Sequence, residues 1–202
     1  MYVATLRLIA SFVLLYSNVV SAQPAAKANA PKAIVAEVIS LVHLASLGDI
    51  PGVEKLLASG MNINAAEAYH SMGALHTAVA NGQIRLVNKL LMMGANPNAV
   101  DQRGVTPLIL AVHYSNGEVV KLLLQANANT NTVPHSGPTA LITAIQKQDL
   151  GLVVSLLEAG ASSSLPDCFG TTPIKAAQRT QQASIVTRIN AALEKMRPPT
   201  TP

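Results

Sequence analysis

What the 202-residue sequence lacks narrows its chemistry before anything else. One cysteine cannot build an internal disulfide framework or a multi-cysteine zinc site. Charged residues make up 12% of the chain, and the net charge of +4 comes with no Lys/Arg run of the kind that clamps a phosphate backbone. Nucleic acid is therefore not an expected partner. There is no phosphate-binding glycine loop, no His-Glu-x-x-His, no Cys-x-x-Cys and no nucleophile elbow. Acidic residues are few and scattered, with no pair placed for acid–base work. The sequence thus points away from an enzyme, and no cofactor is expected. Aromatics are scarce too: no Trp, two Phe and four Tyr. What is present is apolar. Half the residues are hydrophobic, too many for a disordered chain and enough for one sizeable core. A single compact domain or a stack of small repeated units satisfies these bounds.

The N-terminal stretch reads as a targeting segment. Arg7 supplies a thin positive region, and Leu8 to Tyr16 is apolar apart from Ser11. Val20-Ser21-Ala22 offers small residues where a signal peptidase reads them. Residues 1–22 are expected to be removed, leaving Gln23 first and no membrane span. The competing reading is an anchor that is never cut. Residues 23–33, rich in Ala and Pro at their start, read as a disordered lead-in. The product is expected in the periplasm or fully secreted.

Self-similarity carries the fold. Leu75, Leu108, Leu141 and Ile174 lie 33 residues apart, as do Ala78, Ala111, Ala144 and Ala177. Val87, Val120, Val153 and Val186 make a third register, and Leu90, Leu123, Leu156 and Ile189 a fourth. Four columns at one period signal stacked repeats. Within a unit, Thr106-Pro107 places an N-cap hydroxyl before a proline at the first helical position. Leu108, Ala111 and Val112 mark one face of a short helix. A break at Ser115 to Gly117 precedes a second helix with Val119, Val120, Leu123 and Leu124 on its apolar face. Asn127 closes it where Gly94 and Gly160 close its neighbours, so a left-handed residue is expected there. Asn96, Asn98, Asn129 and Asn131 are polar loop chemistry between units.

At these residues the chain resembles the ankyrin repeat family. Asp101-Gln102-Arg103-Gly104-Val105-Thr106-Pro107-Leu108 carries the likeness most strongly. Leu75-His76-Thr77-Ala78, Gly94-Ala95-Asn96, Thr139-Ala140-Leu141 and Gly170-Thr171-Thr172-Pro173-Ile174 extend it. Gly73-Ala74 departs from the family's Thr-Pro and weakens that helix start. The resemblance implies an all-α repeat solenoid of stacked helix-turn-helix units with long hairpin-like loops. It spans residues 34–196 in about five units, the first and last being degenerate caps, before a Pro-rich tail at 197–202. It also implies a structural hydrogen bond for His76 and turn roles for Asp101 and Asp167. The polar last unit, with Gln178, Arg179, Thr180 and Asn190, suits the end of an array.

The family binds partners on a concave face made by loop tips and the exposed end of each first helix. That register places Tyr69, His70 and Met72 of the second unit there. It adds Gln102, Arg103, Val105, His113 and Tyr114 from the third, and His135, Ser136, Gln146 and Lys147 from the fourth. The fifth contributes Cys168, Phe169 and Arg179. Beyond residue 22 the chain has three aromatics, Tyr69, Tyr114 and Phe169, and all fall on this face. Aromatic and Arg anchors are what interfaces favour. The sequence therefore reads as a monomeric, non-enzymatic protein-binding module, acting as scaffold or inhibitor on a partner with an acidic rim. The alternative is a haem- or metal-binding protein using His70, His113 and His135. Zinc is a poor fit to that set. It needs nitrogens about 2.0–2.1 Å away, whereas His70 and His135 belong to units two layers apart.

Overall fold

In a computed structural model of the chain, residues 32–66, 71–180 and 183–195 are described. The expectations for residues 1–31, Tyr69, His70 and the tail lie outside them. The described residues form ten helices: α1 (Lys32–Leu47), α2 (Ile50–Ala58), α3 (Ala74–Ala80), α4 (Ile84–Met92), α5 (Pro107–His113), α6 (Gly117–Gln125), α7 (Ala140–Gln146), α8 (Leu150–Glu158), α9 (Pro173–Arg179) and α10 (Ala183–Lys195). Consecutive pairs make five units. Helix α1 begins at Lys32, two residues inside the stretch expected to be a disordered lead-in.

Local chemistry explains where helices start. Thr106, Thr139 and Thr172 sit in extended conformation, and their hydroxyls accept from the N–H of Ile109, Ile142 and Lys175 at 3.3, 3.3 and 3.4 Å. Pro107 and Pro173 follow as first helical residues. The outer helices α6 and α8 are capped by Asn116 and Asp149, whose side-chain oxygens accept from Val119 and Leu152. The second unit differs: Gly73 and Gln83 make no side-chain cap to α3 or α4. Its stability rests on packing rather than on its own helix ends.

Packing follows the sequence columns. Leu75, Leu108 and Leu141 are buried, as are all four column alanines. So are Val87, Val120, Val153, Leu90, Leu123 and Leu156. Burying each such leucine is worth roughly 1.5–3 kcal/mol. Helix α5 packs between α3 and α7, and α7 packs on α9, while α4, α6, α8 and α10 form the outer row. The alanines let the inner helices approach closely. No described helix is long and apolar enough to cross a membrane.

Asparagines tie the units together. The side-chain oxygen of Asn64 accepts from the N–H of Asn96 at 2.8 Å, Asn98 from Asn129 at 2.7 Å, and Asn131 from Ser162 at 2.7 Å. Each bond crosses from one unit to the next, so residues read in sequence as loop chemistry also connect the stack. The series ends at Ser162 and Ser164, where hydroxyls replace amides. The fifth unit is more polar on its inner helix. Lys175 and Gln178 are exposed at positions where Ile109, Ile142, Val112 and Ile145 are buried.

Candidate interaction face

The loop tips are built on buried aspartates. Asp101 Oδ1 accepts from the N–H of Arg103 and of Val105, both at 2.8 Å. The chain also pairs back on itself, with Asp101 N–H donating to the Val105 carbonyl at 3.0 Å. Asp167 repeats the pattern, accepting from Phe169 at 2.9 Å and Thr171 at 2.8 Å. Both carboxylates are therefore occupied in turn geometry, as the loop-start position implied. Arg103 bends back on its own turn: its Nε and Nη2 each lie 3.3 Å from Asp101 Oδ2.

This pairing corrects one expected surface residue. Val105 is 8% exposed and belongs to the core. Held between two bonds to Asp101, it turns its side chain inward and cannot serve as a contact residue. Its carbonyl receives the Nε2–H of His76, 3.2 Å away, which joins the second unit to the third. Burial pushes the His76 pKa below its ordinary value. The Val105 carbonyl, the charge of Asp101 and a backbone hydrogen bond to Ala99 oppose that shift.

The other described candidates lie at the tips and at the ends of the inner helices. Gln102, Arg103, His135, Ser136, Cys168 and Phe169 are exposed on the tips. His113 and Tyr114 end α5, Gln146 and Lys147 end α7, and Arg179 ends α9, all of them exposed. Met72 is half-buried. His113 and Tyr114 stand edge to face, with ring centroids 5.2 Å apart and planes at 83°. Tyr114 is 55% exposed and Phe169 75%, while the buried side chains described include no Phe or Tyr. Among the described residues, both Tyr114 and Phe169 are thus held out of the core. Among the described residues, no three His, Cys, Asp or Glu side chains gather to hold a metal.

Two contacts between neighbouring tips had no signal in the sequence. The N–H of His135 donates to the Arg103 carbonyl at 2.7 Å. Cys168 Sγ accepts from the Gly137 N–H at 3.1 Å and donates to the Gly137 carbonyl at 3.3 Å. The first joins two backbone atoms and the second joins a side-chain sulfur to the backbone of the preceding tip, so both depend on how neighbouring loops approach rather than on residue type at the fixed spacing. Together they make one connected rim from the third unit to the fifth.

Comparison with known proteins agrees with this architecture. A family model described as ankyrin repeats in three copies matches residues 41–133 and again 75–167. The chain is 36% identical over 84 residues to a 2-5A-dependent ribonuclease of Mus musculus, covering 42% of this chain and 11% of the ribonuclease. It is 40% identical over 77 residues to the E3 ubiquitin-protein ligase XB3 of Oryza sativa subsp. japonica, covering 38% and 17%. It is 35% identical over 83 residues to serine/threonine-protein kinase 12 of Arabidopsis thaliana, covering 41% and 18%. The matches span less than a fifth of each of these relatives.

Proposed function

The chain belongs to the ankyrin repeat family, and on that premise we propose that it is an exported adaptor that grips one protein partner on its concave face. The repeats are an interaction module, and the family is typically non-catalytic. The enzymes among the relatives share repeats with this chain as parts of larger proteins. The partner has an acidic rim around an apolar centre, and the bound module acts on it as scaffold or inhibitor. Export rests on the Arg7, Leu8–Tyr16 and Val20-Ser21-Ala22 pattern, with the product in the periplasm or secreted as a monomer.

One observation carries the reading: Tyr114 and Phe169 remain largely exposed in a chain with so few aromatics. Fully burying a phenylalanine ring is worth roughly 1.5–3 kcal/mol, most of which the free protein forgoes at Phe169. The test is quantitative capture of the partner by bait beginning at Gln23. Tyr114→Ala should weaken binding by about 2 kcal/mol or more, with an unchanged thermal melt. Unaltered capture by the Tyr114→Ala, Phe169→Ala double variant would move the interface to the convex side. Intact-mass measurement of the exported protein tests processing, with retention of Met1 indicating an anchor.

A further inference from the structure

We infer that the concave face of the third to fifth units selects an acidic segment in polyproline II conformation, its anchor residues recurring every third position. The inference rests on the concave-face reading above and adds the partner's chemistry and register.

The cations on this face are not equivalent. Arg103 already faces the buried carboxylate of Asp101 across two 3.3 Å contacts, so its charge is largely answered within its own turn. Lys147 and Arg179 are exposed and make no ion pair with any described residue. Tyr114 and Lys147 occupy the same place in successive units, and Arg179 lies beside that place in the next. The face therefore offers an aromatic ring, then a lysine, then an arginine, one per layer. The described tips and inner-helix ends of these units carry no acidic side chain except Asp101 and Asp167. Both are buried, with their Oδ1 atoms bonded to backbone N–H groups.

The pitch of the stack then selects the conformation. Packed helix layers lie about 8–10 Å apart. A polyproline II segment rises about 3.1 Å per residue with three residues per turn, so every third side chain returns to one face after about 9.3 Å. A β-strand returns a side chain to the same face at about 6.6 or 13 Å, which misses the layers. An α-helix reaches a heptad repeat at about 10.5 Å, but its backbone groups are already bonded internally. A polyproline II backbone is fully solvated and free to bond. Gln102 on a tip, and His113 and Gln146 next to Tyr114 and Lys147 in sequence, are exposed and offer amides and an imidazole that suit that backbone. The best segment thus places an apolar residue on Tyr114, a carboxylate on Lys147 and a second carboxylate on Arg179.

Fluorescence anisotropy with synthetic peptides tests this. The probe carries one leucine and two glutamates at three-residue intervals in a Pro/Ser background, made in both chain directions. Controls of equal composition place the glutamates two residues apart, or place all three anchors at heptad spacing in an Ala/Gln background. One direction of the period-three peptide should bind at least about tenfold tighter than either control, and more weakly as salt rises. Lys147→Glu should abolish that preference, and replacing the middle glutamate of the peptide by lysine should restore it. Equal binding of the period-two peptide, tighter binding of the heptad peptide, or no binding of the period-three peptide overturns the register proposal. So does tighter binding to phosphatidylglycerol vesicles than to the peptide. The concave-face reading fails separately, when the Tyr114→Ala, Phe169→Ala variant still captures the natural partner in full.

Discussion

The third and fourth units have nearly the same packed helices but different loop tips. In the third, Asp101 holds the turn from within, bonding two N–H groups of its own hairpin. In the fourth, Pro134 stands at the equivalent place, 33 residues on, and offers no such acceptor. That tip is held from outside instead. Its His135 N–H reaches back to Arg103, and its Gly137 backbone meets Cys168 of the fifth unit. A repeat in a stack need not contain every element of its own stability, because neighbours supply what it lacks. The same division holds one unit earlier, where the second unit has no side-chain caps of its own but is tied to the third through His76.

The strongest way to break this contrast is to remove the internal support. Asp101→Ala leaves the N–H groups of Arg103 and Val105 without their charged acceptor. Hydrogen bonds to charged groups are worth about 1.5–3 kcal/mol each, so losing both should cost at least about 3 kcal/mol in urea unfolding. Asp101→Asn keeps one acceptor oxygen and should cost about 1 kcal/mol. Equal tolerance of both variants would show that the third tip, like the fourth, is held by its neighbours.

A smaller effect isolates the contact between the two tips. Gly104 has φ +75°, and a Cβ there would meet the His135 nitrogen at 3.0 Å and Pro134 Cα at 3.2 Å. Gly170 has nearly the same φ, +72°, with nothing within 4 Å. Gly170→Ala should therefore cost only the left-handed penalty less the backbone entropy that glycine loses on folding, about 0.5–1 kcal/mol. Gly104→Ala should exceed it by about 1 kcal/mol as the fourth tip is pushed away. Equal losses in parallel thermal melts would mean that the neighbouring tip yields freely.

The junction between the second and third units gives a pH-dependent test. Burial lowers the His76 pKa below 6.5, so above that value both folded and unfolded chains carry it neutral and its full contribution is present. As pH falls below 6.5 the unfolded chain takes up the proton first. Stability declines until the folded-state pKa is passed. His76→Ile substitutes the residue found at the equivalent position 109, and should flatten that slope between pH 7 and 5. An unchanged slope would assign the acid sensitivity to other groups.

Much of the fold was legible in the sequence because its causes are local and recur. Burial of the leucine and valine columns in the second to fourth units and of all four column alanines, the threonine caps and the left-handed Asn127 at φ 59° follow from residue type at fixed spacing, while Ile174 and Val186 of the fifth unit are only partly buried. The partner of His76 was legible in kind but not in identity. The interaction face was less accessible to sequence. Val105 reads as a tip residue by position, yet its backbone pairing with Asp101 turns it into the core. The Cys168–Gly137 contact and the asparagine bonds between units depend on how neighbouring loops approach, which no single unit specifies.

A further column hid behind mixed chemistry, and it gives the smallest expected effect. The residue between the two helices is left-handed in each of the first four units: Gly48 at φ 73°, Gly82 at 66°, Ser115 at 54° and Gln148 at 60°. Two units use glycine, which accepts this conformation without steric cost, and two do not. A left-handed L-residue costs about 1–2 kcal/mol, while glycine loses about 0.5–1 kcal/mol more backbone entropy on folding. Ser115 is exposed, so its replacement disturbs no core packing. Ser115→Gly should therefore stabilise the chain by about 0.5–1 kcal/mol. For a domain of this size that corresponds to roughly 1–4 °C in Tm. Gly82→Ser, the mirror change in the second unit, should lose a similar amount, since a Cβ there has no heavy atom nearer than 3.9 Å. Opposite signs for the two variants would establish that backbone conformation sets the preference at this position. A loss in both would mean that the Ser115 side chain makes up its conformational cost locally, and that the third unit is again supporting itself from within.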